Sequence, residues 1–136
     1  MKKIIKTKNA PSPVGPYNQA ILFNNTLYAS GQIAINPLNN QIINEDIEAE
    51  TKQVMENLNE VLKEAKMDFS NVVKCTIFLK DMNDFESVNQ IYSTFFNEKD
   101  APARETVEVS MLPKNVNVEI SLIAVSYTHL TLPTNC

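Results

Sequence analysis

Histidine is almost missing from this chain: His129 is the only one in 136 residues, and it sits in a C-terminal stretch with no helical or strand period. A Ser-His-Asp or Cys-His arrangement would lack its base, so nucleophilic catalysis of that kind has no support. The two cysteines, Cys75 and Cys136, form neither a CxxC pair nor a disulfide framework. With a single histidine beside them they offer no metal-ligand cluster, and the expectation is no metal and no cofactor. They fit two thiols in a reducing cytosol. Glycine-rich phosphate cradles of the Walker or dinucleotide-binding kind are absent. No apolar run approaches the roughly 18–20 residues that span a bilayer. The charged N-terminus has no apolar signal core. Together these absences predict a soluble, cytoplasmic protein.

Two further scarcities carry more information. Glycine occurs twice, at Gly15 and Gly31, where average usage would give roughly nine or ten. Such a chain keeps glycine where a side chain cannot fit, at a positive φ or where something presses on the backbone. Turn geometry alone is the alternative reading for each. Arginine occurs once: Arg104 stands against eleven lysines. On a solvated surface the two residues are equivalent, but only the rigid guanidinium fork grips a flat carboxylate or phosphate with two parallel hydrogen bonds. Arg104 is therefore either a surface survivor or an anion clamp.

The net charge of -4 and the scattered lysines argue against a nucleic-acid surface. The densest group, Lys2, Lys3, Lys6 and Lys8, alternates with apolar residues like the wet side of a strand. With 43% hydrophobic and 21% charged residues, the chain is long enough for one domain with a real core. That domain is read as residues 1–125. Residues 126–136 lack any period that joins it and are read as a tail derived from read-through or cloning.

Strand-like segments at Lys3–Thr7, Tyr17–Phe23 and Thr26–Ser30 come first, the last two joined by the turn pair Asn24-Asn25. Between the first and second lies a loop carrying Pro11, Pro13, Gly15 and Pro16. From Ile47 to Lys66 the period is helical, with Val54, Leu58, Val61, Leu62 and Ala65 as one apolar stripe. Asn44 or Asp46 is placed to cap it. A strand at Asn71–Leu79 precedes a second helix opened by Asp84, whose stripe is Phe85, Val88, Tyr92 and Phe95. Two more strands, Arg104–Val109 and Asn115–Val125, complete the order β-β-β-α-β-α-β-β. This predicts an α+β two-layer sandwich, a mixed sheet with two helices on one face.

Alternation then marks the uncovered face. In the last strand Asn117, Glu119 and Ser121 oppose Val116, Val118, Ile120 and Leu122. In the strand before it Arg104, Thr106 and Glu108 oppose Val107 and Val109. Both polar sets are expected on the uncovered sheet face, with Arg104 and Glu119 sharing it. Parity leaves the register open. Glu119 is either an ordinary solvent-facing carboxylate or one desolvated at a cleft with a raised pKa fit for moving protons.

Several spaced runs are also those of a known family. Ala10-Pro11, Gly15-Pro16-Tyr17-Asn18-Gln19-Ala20, Ser30-Gly31-Gln32-Ile33, Gln53 to Leu58, Val72 to Met82, Pro102-Ala103-Arg104 and Val118-Glu119-Ile120 occur in the right order. Residues 1–125 thus resemble the Rid family of reactive-intermediate deaminases, also called endoribonuclease L-PSP-like. The resemblance implies a chorismate-mutase-like fold, a homotrimer with sites between subunits, and hydrolysis of 2-imino acids such as 2-iminobutyrate and 2-iminopropionate to 2-keto acids and ammonia. It implies Arg104 as the carboxylate clamp and Glu119 as the group that activates water. Tyr17, Ser30, Gly31 and Asn89 would line the pocket, and Thr106 would offer backbone contacts near the imine. Ala34, Lys66 and Thr106 depart from residues common in the family, where Pro, Gly and Cys respectively are frequent. A non-catalytic 2-keto acid-binding protein using the same pocket is the alternative. A ribonuclease reading is disfavoured by the acidic charge and the missing catalytic histidine.

Overall fold

The computed structural model describes residues 1–127, and within them the strands and helices follow the predicted order. They are β1 (Lys2–Ile5), β2 (Ala20–Phe23), β3 (Thr26–Gln32), α1 (Ile47–Glu64), β4 (Val72–Leu79), α2 (Phe85–Ser93), β5 (Ala103–Glu108) and β6 (Val118–Val125). The strands form one mixed six-stranded sheet in the order β1-β2-β3-β6-β4-β5, in which only β4 and β5 run parallel. The architecture is α+β, as expected. His129 and Cys136, with most of the tail read from 126 onward, lie outside the described residues. Ser126 still donates its backbone N–H to the Asn25 carbonyl at 2.8 Å. Among the described residues no helix is long and apolar enough to cross a membrane.

The helical stripe of α1 buries Val54, Leu58, Val61 and Leu62 against β3 and β6 and beside α2. Its start is set by Asp46, whose side chain accepts the Ala49 N–H at 2.7 Å, satisfying a donor that the helix cannot. Glu50 and Asn57 are buried on the same helix with their polar atoms used. The Glu50 carboxylate accepts both the backbone N–H and the side-chain amide of Asn117 at 2.8 Å, and the Asn57 amide donates to the carbonyls of Ile33 and Ile35. These bonds fix the entry to β6 and the exit from β3, the two strands that frame Glu119.

The second segment was expected from Tyr17 and begins at Ala20. Pro16 cannot donate to a ladder, and the Tyr17 N–H closes a tight turn onto the Gly15 carbonyl at 2.8 Å. The missing glycines have a second consequence. Asn24, Asn40, Lys66, Lys114 and Asn115 all take φ between 56° and 62°, while neither glycine has a positive φ. Lys66 thus ends α1 in the left-handed region at φ 61°, a conformation that disfavours a Cβ.

Two expectations about the uncovered face are corrected by the register. Cys75, Ile77 and Leu79 of β4 are buried under the helices, and they pair with Arg104, Thr106 and Glu108. Glu119 pairs with Phe78 on the opposite parity. Paired residues point the same way, so Arg104 lies on the helix side of the sheet and Glu119 on the open side. Within one chain the two do not share a face. The open face is also less polar than its strands suggested. Ile4, Ile21, Tyr28 and Ile123 stand in direct register across β1, β2, β3 and β6, with Ile4 53% and Tyr28 50% exposed.

Candidate active site

Glu119 owes its surroundings to a bulge in β3. Ala29 pairs with Leu122 and Gln32 with Ile120, so Ser30 and Gly31 together oppose the single residue Ser121. A bulge of this kind bends the strand and re-aims its side chains. Here it brings the Gly31 backbone against the Glu119 carboxyl. A Cβ on Gly31 would fall 2.8 Å from Glu119 Cδ and 3.0 Å from Cγ, and closer still to a carboxylate oxygen. Of the two reasons for keeping a glycine, Gly31 meets the second, close approach. At Gly15 a Cβ would make only ordinary contact with the Tyr17 ring at 3.5 Å.

The opposite wall is the proline loop, held by Gln19. Its amide donates to the carbonyls of Thr7, Ala10 and Pro11 at 3.0, 3.2 and 2.8 Å, and its Oε1 accepts the Thr7 N–H at 2.7 Å. The next residue toward the site, Asn18, receives the Ser30 hydroxyl on its carbonyl at 2.6 Å. The Tyr17 hydroxyl accepts the Val14 N–H at 3.4 Å. Pro11, Val14 and Gln19 of this loop, with Pro113 and Lys114, line a cleft of about 550 Å³ that holds Tyr17, Ser30, Gly31 and Glu119. Burial pushes the Glu119 carboxyl above its ordinary range. A carboxylate so desolvated is a better proton acceptor than one in water.

Gly31→Ala tests this packing. The atoms in the way are the end of one side chain, so the domain is expected to fold with Glu119 displaced. If Glu119 handles protons as the family resemblance implies, a loss of about tenfold in turnover is expected, because small misplacements of a reacting group are expensive. A variant melting near wild type with full activity would dissolve the link between Gly31 and the carboxylate.

Arg104 sits in a second cleft, of about 470 Å³, beside α2. Its Nη1 donates to Asn89 Oδ1 at 2.5 Å. Its Cζ lies 5.0 Å from the Tyr92 ring centroid and 5.6 Å from that of Phe85. Phe85, Asn89 and Tyr92 follow at intervals of four and three on α2, which aligns them on one stripe. Burial raises the pKa of the Tyr92 hydroxyl and of the neighbouring Cys75 thiol, so both are neutral at pH 7. Thr106, two residues along β5 from Arg104, has a buried hydroxyl without a hydrogen-bond partner among the described residues, and the Tyr92 hydroxyl lies against the Cys75 thiol.

The seven residues singled out from sequence therefore fall into two groups. Tyr17, Ser30, Gly31 and Glu119 meet in the open-face cleft, while Arg104 and Asn89 meet on the helix side, with Thr106 on the same side of β5. Gln19 and Lys114 were passed over and line the first cleft; Gln19 stands inside one of the quoted runs. Phe85 and Tyr92 were read as core stripe alone, although an aromatic-Asn-aromatic stripe preceding a lone arginine is a readable pattern.

Residues 7–126 match the Endoribonuclease L-PSP family. A RutC family protein of Synechocystis is 56% identical over 124 residues, covering 90% of this chain and 95% of that protein. The 2-iminobutanoate/2-iminopropanoate deaminase of Mus musculus is 46% identical over 125 residues, covering 92% of each. A solved structure of a Rid family protein from Yersinia pestis is 50% identical, with a TM-score of 0.90 over 93% of this chain and 100% of that one. With β2 through β6 and both clefts inside the match, the chain belongs to the Endoribonuclease L-PSP family, the family of the Rid and RutC proteins.

Proposed function

We propose that the protein is a deaminase that hydrolyses 2-imino acids, such as 2-iminobutyrate and 2-iminopropionate, to 2-keto acids and ammonia. The observation that carries the reading is the Glu119 carboxyl, half-buried against the Gly31 backbone with its pKa raised by desolvation. The names of the mammalian relatives support the substrate class. An iminium carbon is already electrophilic, so a positioned water and one proton-handling group suffice. Glu119 takes a proton from the water as its oxygen bonds to the imine carbon. It returns that proton to the nitrogen of the tetrahedral intermediate and takes the hydroxyl proton as the C–N bond breaks, so that the C=O bond forms, the keto acid leaves, and ammonia carries the proton away as ammonium. Tyr17 and Ser30 border the substrate, and Arg104 grips its carboxylate.

Because Arg104 and Glu119 lie on opposite faces of one sheet, the site is assembled between subunits of a homotrimer. Two features support this. β5 is the sheet edge, so its helix-side residues border the molecular surface. The row Ile4, Ile21, Tyr28 and Ile123 leaves an apolar face suited to cover by another copy.

The test couples the protein to a dehydratase that releases 2-iminobutyrate, with keto-acid formation followed in time. Acceleration in proportion to added protein is the expected result. An unchanged rate at every protein concentration, with 2-oxobutyrate still bound, would instead make it a keto-acid-binding protein.

A further inference from the structure

We infer that Phe85, Asn89 and Tyr92 are positioning residues that immobilise the Arg104 guanidinium while leaving its charge unneutralised for an incoming carboxylate. Asn89, which the family resemblance places among the pocket residues, thereby acquires a role toward Arg104 itself.

The groups that hold Arg104 are all neutral. Two aromatic rings face its Cζ at 5.0 and 5.6 Å, and its one side-chain hydrogen bond among the described residues goes to Asn89 Oδ1. Among the described residues the ion pairs are Lys63 with Glu60 and Lys74 with Glu105, so no described carboxylate is paired with Arg104. Glu98 borders the same cleft without reaching it. A structural arginine is ordinarily buried against a carboxylate, because a desolvated charge needs its counter-charge. Here the ring faces supply electrostatic attraction from their quadrupoles without supplying a negative charge.

Geometry adds a direction. Asn89 uses Nη1, and Nε and Nη2 have no acceptor among the described residues. Two parallel N–H donors on one edge of the fork are what a carboxylate requires. Tyr92 is only 6% exposed and Phe85 packs against the core, so the rings cannot swing away. The long arginine stem is therefore ordered before substrate arrives, and the ordering loss on binding is reduced.

The deaminase reading identifies the anion, whereas the clamp can be tested without it. Arg104 is the only arginine, so its Nε–H gives a single isolated signal in a proton–nitrogen correlation spectrum of the full chain. We expect that signal to be displaced by ring currents, and to move toward the free-arginine position in Phe85→Leu and Tyr92→Leu. Asn89→Ala should speed rotation of the guanidinium and merge its Nη signals. Affinity for 2-oxobutyrate should fall about tenfold in Phe85→Leu and Tyr92→Leu, and stay within about twofold in Tyr92→Phe, which keeps the ring. A loss through Arg104 must also vanish when Phe85→Leu is added to Arg104→Lys. Phe85→Leu weakening both backgrounds equally, or a wild-type Nε–H at the free position, overturns the inference. If the Nε–H behaves as expected and no 2-oxobutyrate binds, the clamp stands and the deaminase reading falls.

Discussion

Replacing Arg104 with lysine is expected to lower kcat/KM for the imino acid by about tenfold to a hundredfold although the charge is kept. A carboxylate held by two charge-assisted bonds loses one of them, and each is worth about 1.5–3 kcal/mol. The planar group that stacks against Phe85 and Tyr92 is replaced by a hydrated point charge on a flexible stem. Asn89, left without its fork, can still accept from the ammonium, which draws the charge away from the substrate. The carboxylate is gripped before and during reaction alike, so the loss should appear mainly in KM, with a parallel rise in the Kd for 2-oxobutyrate. The fold should survive, because Arg104 lies on the edge strand β5 and only partly within the core. Steady-state kinetics and calorimetric binding decide the matter. A near-wild-type kcat/KM with unchanged 2-oxobutyrate affinity would remove the clamp assignment.

The order of elements was legible because the helical stripes and strand alternations are each internally consistent, and Asp46 caps α1 as its position suggests. What alternation lacks is an absolute sense of face. In β5 the apolar Val107 looks like the inward residue and Arg104 like the outward one, yet pairing with β4 reverses them. Cys75 faces Arg104, and Val107 is left on the open side beside Phe78. The misreading has a physical source: β5 is an edge strand whose helix-side face meets the aromatic-Asn-aromatic stripe of α2, where Asn89 suits an arginine better than a valine. Gly31 shows the converse. Its scarcity marked it, but the bulge opposite Ser121 and the approach of Glu119 arise from the register of β3 with β6, which no local pattern encodes. The partition of the site into two clefts is likewise invisible until the sheet order is known.

Glu119→Gln is expected to reduce kcat by about a hundredfold to ten-thousandfold, the usual contribution of a general base, with 2-oxobutyrate affinity nearly unchanged. Equal rates in the variant and wild type would remove Glu119 from the chemistry. Two consequences of its environment follow. Burial raises the carboxyl pKa in the folded chain, so wild-type activity should rise with pH through a midpoint above the ordinary carboxylate range. The same shift means that ionised Glu119 destabilises the fold. That penalty is absent below the unfolded pKa, grows as pH rises and is complete above the folded one, so the glutamine variant should melt higher at pH 7 and the gap should close in acid. The face reversal supplies the stronger test. If each site takes Arg104 from one subunit and Glu119 from its neighbour, the two impaired variants are complementary when assayed below KM. Unfolding and refolding an equal mixture of Arg104→Lys and Glu119→Gln should restore about a quarter of wild-type activity, because each intact side is drawn independently with even odds. Either variant refolded alone should keep its own low kcat/KM. A mixture no better than its components would rule out a site shared between subunits, since the two side chains on opposite faces of one chain could not then be recruited to a common substrate.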